Sequence, residues 1–94
     1  MSAKAKATIM NEAGIHCRPS THIIKTVRDY PGRMQVTHAE NGSCHLTSML
    51  DLMILGLTCG SEVEIEVEGP DEELQLKKLV ELFEHIYDFP DAGM

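Results

Sequence analysis

The chain has 94 residues, 43% of them apolar, enough for one domain spanning residues 1–94 with a modest core. Its net charge of −7 excludes a general nucleic-acid binder, which needs a basic surface. No apolar run is long enough to span a bilayer, the N-terminus lacks a signal-peptide core, and the three cysteines form no C-x-x-C pair. A cytoplasmic protein without membrane insertion, disulfide framework or common zinc pattern is expected.

In chain order, Lys4 to Ile9 alternates lysine with apolar residues and reads as a strand with one wet face. A helix follows from about Arg18 to Arg28, with Pro19 in its first turn, where a missing N–H costs nothing, and Tyr30-Pro31-Gly32 ends it. Met34–His38 and Ser43–Leu46 flank Asn41-Gly42, which predicts two strands joined by a tight hairpin. A short helix opens at Ser48, where Ser48-x-x-Asp51 fits a capping box, and closes at Gly56. Ser61 to Glu68 alternates apolar and acidic residues, and pairing with the first strand would set lysines beside glutamates. The last helix carries Leu76, Leu79, Val80, Phe83, Ile86 and Tyr87 on one face, with Asp71 as expected N-cap and Pro90 onward as a tail. The order is βαββαβα. That predicts an α+β domain, an open-faced sandwich of a four-stranded antiparallel sheet with three helices on one face.

Charge is unevenly spread. Residues 1–60 hold six basic and four acidic side chains, a balance of +2, whereas residues 61–94 hold two basic and eleven acidic, a balance of −9. Within the first part, Ala13-Gly14-Ile15-His16-Cys17-Arg18-Pro19 sets a histidine directly before a proline-started helix. A helix start offers unpaired N–H groups and partial positive charge, and Arg18 adds a guanidinium. Phosphoryl transfer needs that kind of charge stabilisation, and neutral imidazole is a competent nucleophile near pH 7. His16 and Arg18 are therefore the candidate reactive pair, although a histidine at a helix start is also a common cap or surface residue.

Gly14-Ile15-His16-Cys17-Arg18-Pro19 resembles the Gly-Leu/Ile-His-x-Arg-Pro motif of the HPr family, the histidine-containing phosphocarriers of the phosphotransferase system. Thr47-Ser48-Met49-Leu50-Asp51-Leu52-Met53-Ile54-Leu55-Gly56 is similar to a second stretch of that family, and the likeness runs over about residues 4–87. It implies the HPr-like open-faced sandwich already reached from the pattern. It also implies a stoichiometric carrier rather than an enzyme, which receives phosphate on His16 from Enzyme I and passes it to an Enzyme IIA domain in sugar uptake. Arg18 would bind the phosphoryl oxygens, and no cofactor or metal is called for. The serine matching Ser48 is phosphorylated by a dedicated kinase in some members. Here Thr47 replaces the usual preceding lysine, and Asp51 stands one turn from where a phosphate would sit.

On the first helix Arg18, His22 and Lys25 recur at i, i+4 and i+7, with Arg28 beyond. With Met49, Leu50 and Met53, of which some must be core, the expected partner-binding set is Ile23, Lys25, Arg28, Met49, Leu50 and Met53. Cys17 reads as a small side chain in a small site, with an activated thiol beside the helix start as the alternative. His22, His38, His45 and His85 show no ligand-like grouping. Three neighbouring readings stay open: a carrier of the nitrogen-related branch or a regulatory paralogue, a plain interaction or metal-handling module, and a true enzyme. The pairing of His16 with Arg18 favours a chain that is itself phosphorylated, and a monomer is expected.

Overall fold

The computed structural model describes residues 2–11, 14, 15 and 17–85, with the backbone alone at 17 and 18. Seven elements follow one another: β1 (Ala3–Thr8), α1 (Cys17–Val27), β2 (Arg33–His38), β3 (Gly42–His45), α2 (Met49–Ile54), β4 (Glu62–Glu68) and α3 (Glu72–Glu84). The strands form one antiparallel sheet in the order β1-β4-β2-β3. The most strictly alternating segment thus occupies the interior of the sheet.

Alternation decides which face of β4 is dry. Val63, Ile65 and Val67 are buried against the helices, while the glutamates between them project to the open face. Lys4 pairs across from Glu66 and Lys6 from Glu64, and Arg33 of β2 lies opposite Glu68, 3.6 Å from its carboxylate. The expected lysine–glutamate neighbours are present, and cations on both flanks relieve an otherwise self-repelling acidic row. These contacts are exposed, so each contributes little to stability. The open face is held by strand pairing; the core holds the fold.

That core joins Val36, Leu46, Leu52 and Ile9 to the β4 valines and to Ile23, Val27, Leu76, Leu79 and Phe83 of the helices. In α1 the buried side is Pro19, Ser20, Ile23 and Val27, a helical repeat that leaves His22, Lys25 and Arg28 in water. α3 is tied to the sheet edge as well, since Thr8 donates its N–H to the Glu84 carboxylate at 2.9 Å.

Two local expectations fail for definable reasons. Asn41-Gly42 does not form a two-residue turn, because His38 pairs with Gly42 and a three-residue loop separates them. Only Gly42 takes positive φ there, and the His38 Nδ1 accepts from the N–H groups of Glu40 and Asn41, which closes the wider loop. Asp71 adopts a left-handed conformation with φ 49° and makes no side-chain cap. Glu72 instead accepts from the N–H of Gly69 at 3.3 Å. Ile86 and Tyr87, expected on the apolar face of the last helix, lie outside the described residues.

Candidate functional site

The segment leading to α1 is fixed from both sides. Asn11 is fully buried; its side-chain amide donates to the carbonyl of Gly14 at 2.8 Å, and its own carbonyl accepts from the Gly14 N–H at 2.8 Å. Gly14 has φ 78°, and a Cβ there would fall 2.4 Å from the Leu57 carbonyl oxygen, so glycine is required by both conformation and space. Ile15 then donates its N–H to that same Leu57 oxygen at 2.9 Å and buries its side chain. These bonds aim the chain into the first turn of α1. His16 lies outside the described residues, as do the side chains of Cys17 and Arg18. What the structure supplies is the anchored backbone on either side of them.

Asn11 is the contributor that sequence reading missed, although a polar residue three positions before Gly14 is an ordinary signal for a side-chain-closed turn. Ser20, in the first turn of α1, was also overlooked. It is fully buried, and its hydroxyl finds no hydrogen-bond partner among the described residues.

Beside this start, Thr21, His22, Lys25 and Thr26 line a shallow groove of about 490 Å³ on the outer side of α1. Lys25 is exposed there, and Arg28, further along α1, is exposed as well. Ile23 is not: it is 0% exposed and packs in the core, because it shares the inner stripe with Ser20 and Val27, so it offers nothing to a partner. The Thr21 hydroxyl donates to the Met49 sulfur at 2.8 Å and joins α1 to α2. On α2 the apolar residue given to the core is Leu52. Met49 and Leu50 are exposed, Met53 is partly buried, and Ile54 is 72% exposed. Ile54 belongs to the same apolar surface as Leu50, four residues earlier, and that spacing was the available signal.

Ser48 caps α2 as the capping-box pattern predicts, accepting from the Asp51 N–H at 3.2 Å. Cys44, half-buried beside α2, has its thiol pKa pushed up by burial and by the Asp51 carboxylate, which opposes thiolate formation. Among the described residues no three His, Cys, Asp or Glu side chains gather in a way that would hold a metal ion. No described helix is long and apolar enough to cross a membrane.

An open-faced antiparallel sheet with three helices on one face, with the motif His16-Cys17-Arg18-Pro19 in the sequence at the first of them, is the combination found in the histidine phosphocarriers. The family described as "PTS HPr component phosphorylation site" matches residues 3–85, and the chain belongs to this HPr family of phosphotransferase-system phosphocarriers. Phosphocarrier protein HPr of Treponema pallidum is 29% identical over 80 residues, covering 85% of this chain and 90% of that one. Phosphocarrier protein NPr of Escherichia coli is 26% identical over 88 residues, covering 94% and 98%. The crystal structure of HPr-C-His from Thermoanaerobacter tengcongensis superposes with a TM-score of 0.77 at 30% identity, covering 86% of this chain and 90% of that one. HPr from Bacillus anthracis shares the fold with a TM-score of 0.81 at 18% identity, covering 88% and 98%.

Proposed function

We propose that this chain accepts a phosphoryl group from Enzyme I on His16 and passes it to an Enzyme IIA domain. In the first transfer a ring nitrogen of neutral His16 forms the new N–P bond as the bond holding the group to Enzyme I breaks. In the second, the phosphorylated ring is the leaving group and the acceptor on the IIA domain takes the phosphoryl. What supports this reading is the pair of anchors, Asn11 to Gly14 and Ile15 to Leu57, just before the eleven-residue helix α1, together with the His16-Cys17-Arg18-Pro19 motif that the sequence carries there. By the geometry of any α-helix, the first-turn N–H groups lack intrahelical partners and present partial positive charge. Pro19 contributes no donor, so Cys17, Arg18 and Ser20 supply them. Arg18 adds its guanidinium to the charge on the moving group, which is where a transfer with little covalent demand gains most.

Encounter with both partners uses the cations Lys25 and Arg28, with His22 beside them on α1, and the apolar side chains of Met49, Leu50, Met53 and Ile54. A locally positive, adaptable surface on an acidic protein favours fast, brief complexes with acidic partners. Ser48 is the regulatory candidate. A serine kinase acting there would replace the hydroxyl cap of α2 with a phosphate beside Asp51, at the edge of this same surface.

A second reading places the carrier in the nitrogen-related branch rather than in sugar uptake. It is favoured by the NPr relatives, whose likeness spans 94% of this chain, against 85% for the Treponema pallidum HPr. The test supplies labelled phosphoenolpyruvate and Enzyme I from each branch to wild type and to His16→Ala. One acid-labile, alkali-stable phosphate per wild-type chain and none on the variant is expected, and the Enzyme I that labels faster assigns the branch. Equal labelling of His16→Ala, or none on either protein with both enzymes, would overturn the reading.

A further inference from the structure

A second recess lies beyond the far end of α1. α3 presents Leu74, Lys77, Lys78 and Glu81 at i, i+3, i+4 and i+7, all exposed and on one stripe. This stripe faces Tyr30, Pro31 and Pro70 across a groove of about 620 Å³. The eleven residues of α1 separate it from Cys17 by about 16 Å of helix rise, so it lies at the opposite end of α1 from the helix start.

The groove is built in advance. The Tyr30 hydroxyl donates to the Pro70 carbonyl at 2.8 Å, which clasps the α1–β2 corner to the β4–α3 corner. Those corners meet because residue 32 is glycine: a Cβ there would lie 2.3 Å from the Glu68 carbonyl oxygen and 2.9 Å from the Gly69 Cα. Leu74, at 69% exposure, is a large apolar side chain left in water at the wall of this recess. A leucine so placed gains free energy from any apolar body that covers it.

Charge selects the body's other end. Residues 61–94 hold eleven acidic side chains and two basic ones, and both basic ones, Lys77 and Lys78, stand together on this groove. Among the described residues neither is held in an ion pair. Asp71 and Glu81 also line the recess, and they would repel a ligand that extended anionic groups beyond the lysine pair.

We propose that this groove binds a small amphipathic anion, an apolar body carrying one carboxylate, sulfonate or phosphate, with the body on Leu74, Tyr30, Pro31 and Pro70 and the anion on Lys77 and Lys78. The volume and the mostly apolar lining with a few charged groups are those of a small-molecule site. Such a ligand touches none of the residues of the proposed transfer site, so binding and phosphoryl acceptance are separable.

The probe is 1-anilinonaphthalene-8-sulfonate, titrated into the full chain and followed by fluorescence and by amide chemical shifts. Saturable binding that shifts the amides of residues 70–81 is expected. The double variant K77E/K78E should weaken it by about tenfold or more, since each ion pair is replaced by a repulsion. Leu74→Asp should abolish it, and Ile54→Asp on α2 should leave it intact. Both groove variants should still accept phosphate on His16, which separates failure of this proposal from failure of the carrier reading. Amide shifts confined to α2, or a signal lost in Ile54→Asp but kept in K77E/K78E, would overturn it.

Discussion

The outer surface shared by α1 and α2 and the outer surface of α3 cover one core but differ in kind. The first carries His22, Lys25 and Arg28 on α1 and exposed Leu50 and Ile54 on α2, whereas the second is acidic apart from one lysine pair and exposed Leu74. On the inside the helices are alike: Ile23 and Val27, Leu52, and Leu76, Leu79 and Phe83 all reach zero or near-zero exposure. The core therefore dictates one stripe of each helix and leaves the other free. On one surface that freedom makes a cationic, apolar contact area; on the other it makes a charged, solvated helix. Stability and encounter are written on opposite sides of the same elements.

Substitutions can break that division or sharpen it. The largest expected effect is on the inside. Phe83→Ala empties the space of a fully buried aromatic and should cost about 3–5 kcal/mol, read as a lowered urea midpoint with the slope retained. A loss below about 1 kcal/mol would mean that α3 is not integral to the core. On the outside, Lys25→Glu with Arg28→Glu should slow phosphoryl transfer from Enzyme I by about tenfold at low ionic strength while the urea midpoint barely moves. Raising the salt should close most of that gap; a salt-independent defect would point away from steering.

The smallest effect concerns pH. Burial, then the Glu72 and Asp71 carboxylates, raise the phenol of Tyr30 above its ordinary 10.0. The folded chain then holds this proton more tightly than the unfolded one. Its contribution is present in full below pH 10 and is lost as pH rises through the raised value. Tyr30→Phe should remove that alkaline decline from the stability profile and leave the acid side unchanged. An unaltered decline in the variant would assign it to another group.

How much was legible follows from which forces act locally. The strands were readable because a two-residue period has one meaning when one face is dry, and β4 states it over seven residues. Ser48 was readable because its cap is closed within three residues of sequence. Asp71 was not, since the junction packs Gly69 against Gly32 and Tyr30, contacts made by a distant corner that set the local backbone. Asn41-Gly42 failed in the same way: the Asn41 side chain donates to the Leu55 carbonyl across the sheet–helix boundary, a bond that the dipeptide does not announce. For the site, the motif around His16 was legible and the Asn11–Gly14 turn, closed within three residues, could have been read, while the bond from Ile15 to Leu57 belongs to the tertiary structure. Ile23 shows the hazard of choosing a surface by proximity to charges: one position from His22 is a rotation of about 100° around the helix.

The sheet order has a consequence for how the molecule comes into being. β1 has a single neighbour, and that neighbour is β4, the last of the described strands to be synthesised. Until Glu62–Glu68 emerges, the first strand has nothing to pair with, and the β2–β3 hairpin stands as a two-stranded ribbon, too small to persist alone in water. A nascent chain halted at any point before β4 therefore cannot close the sheet end that follows β1, where Ile9 bonds to Ser61 and Gly60. Contacts so distant in sequence slow folding and make it all-or-none. The sheet closes only once β4 has joined β1 to β2.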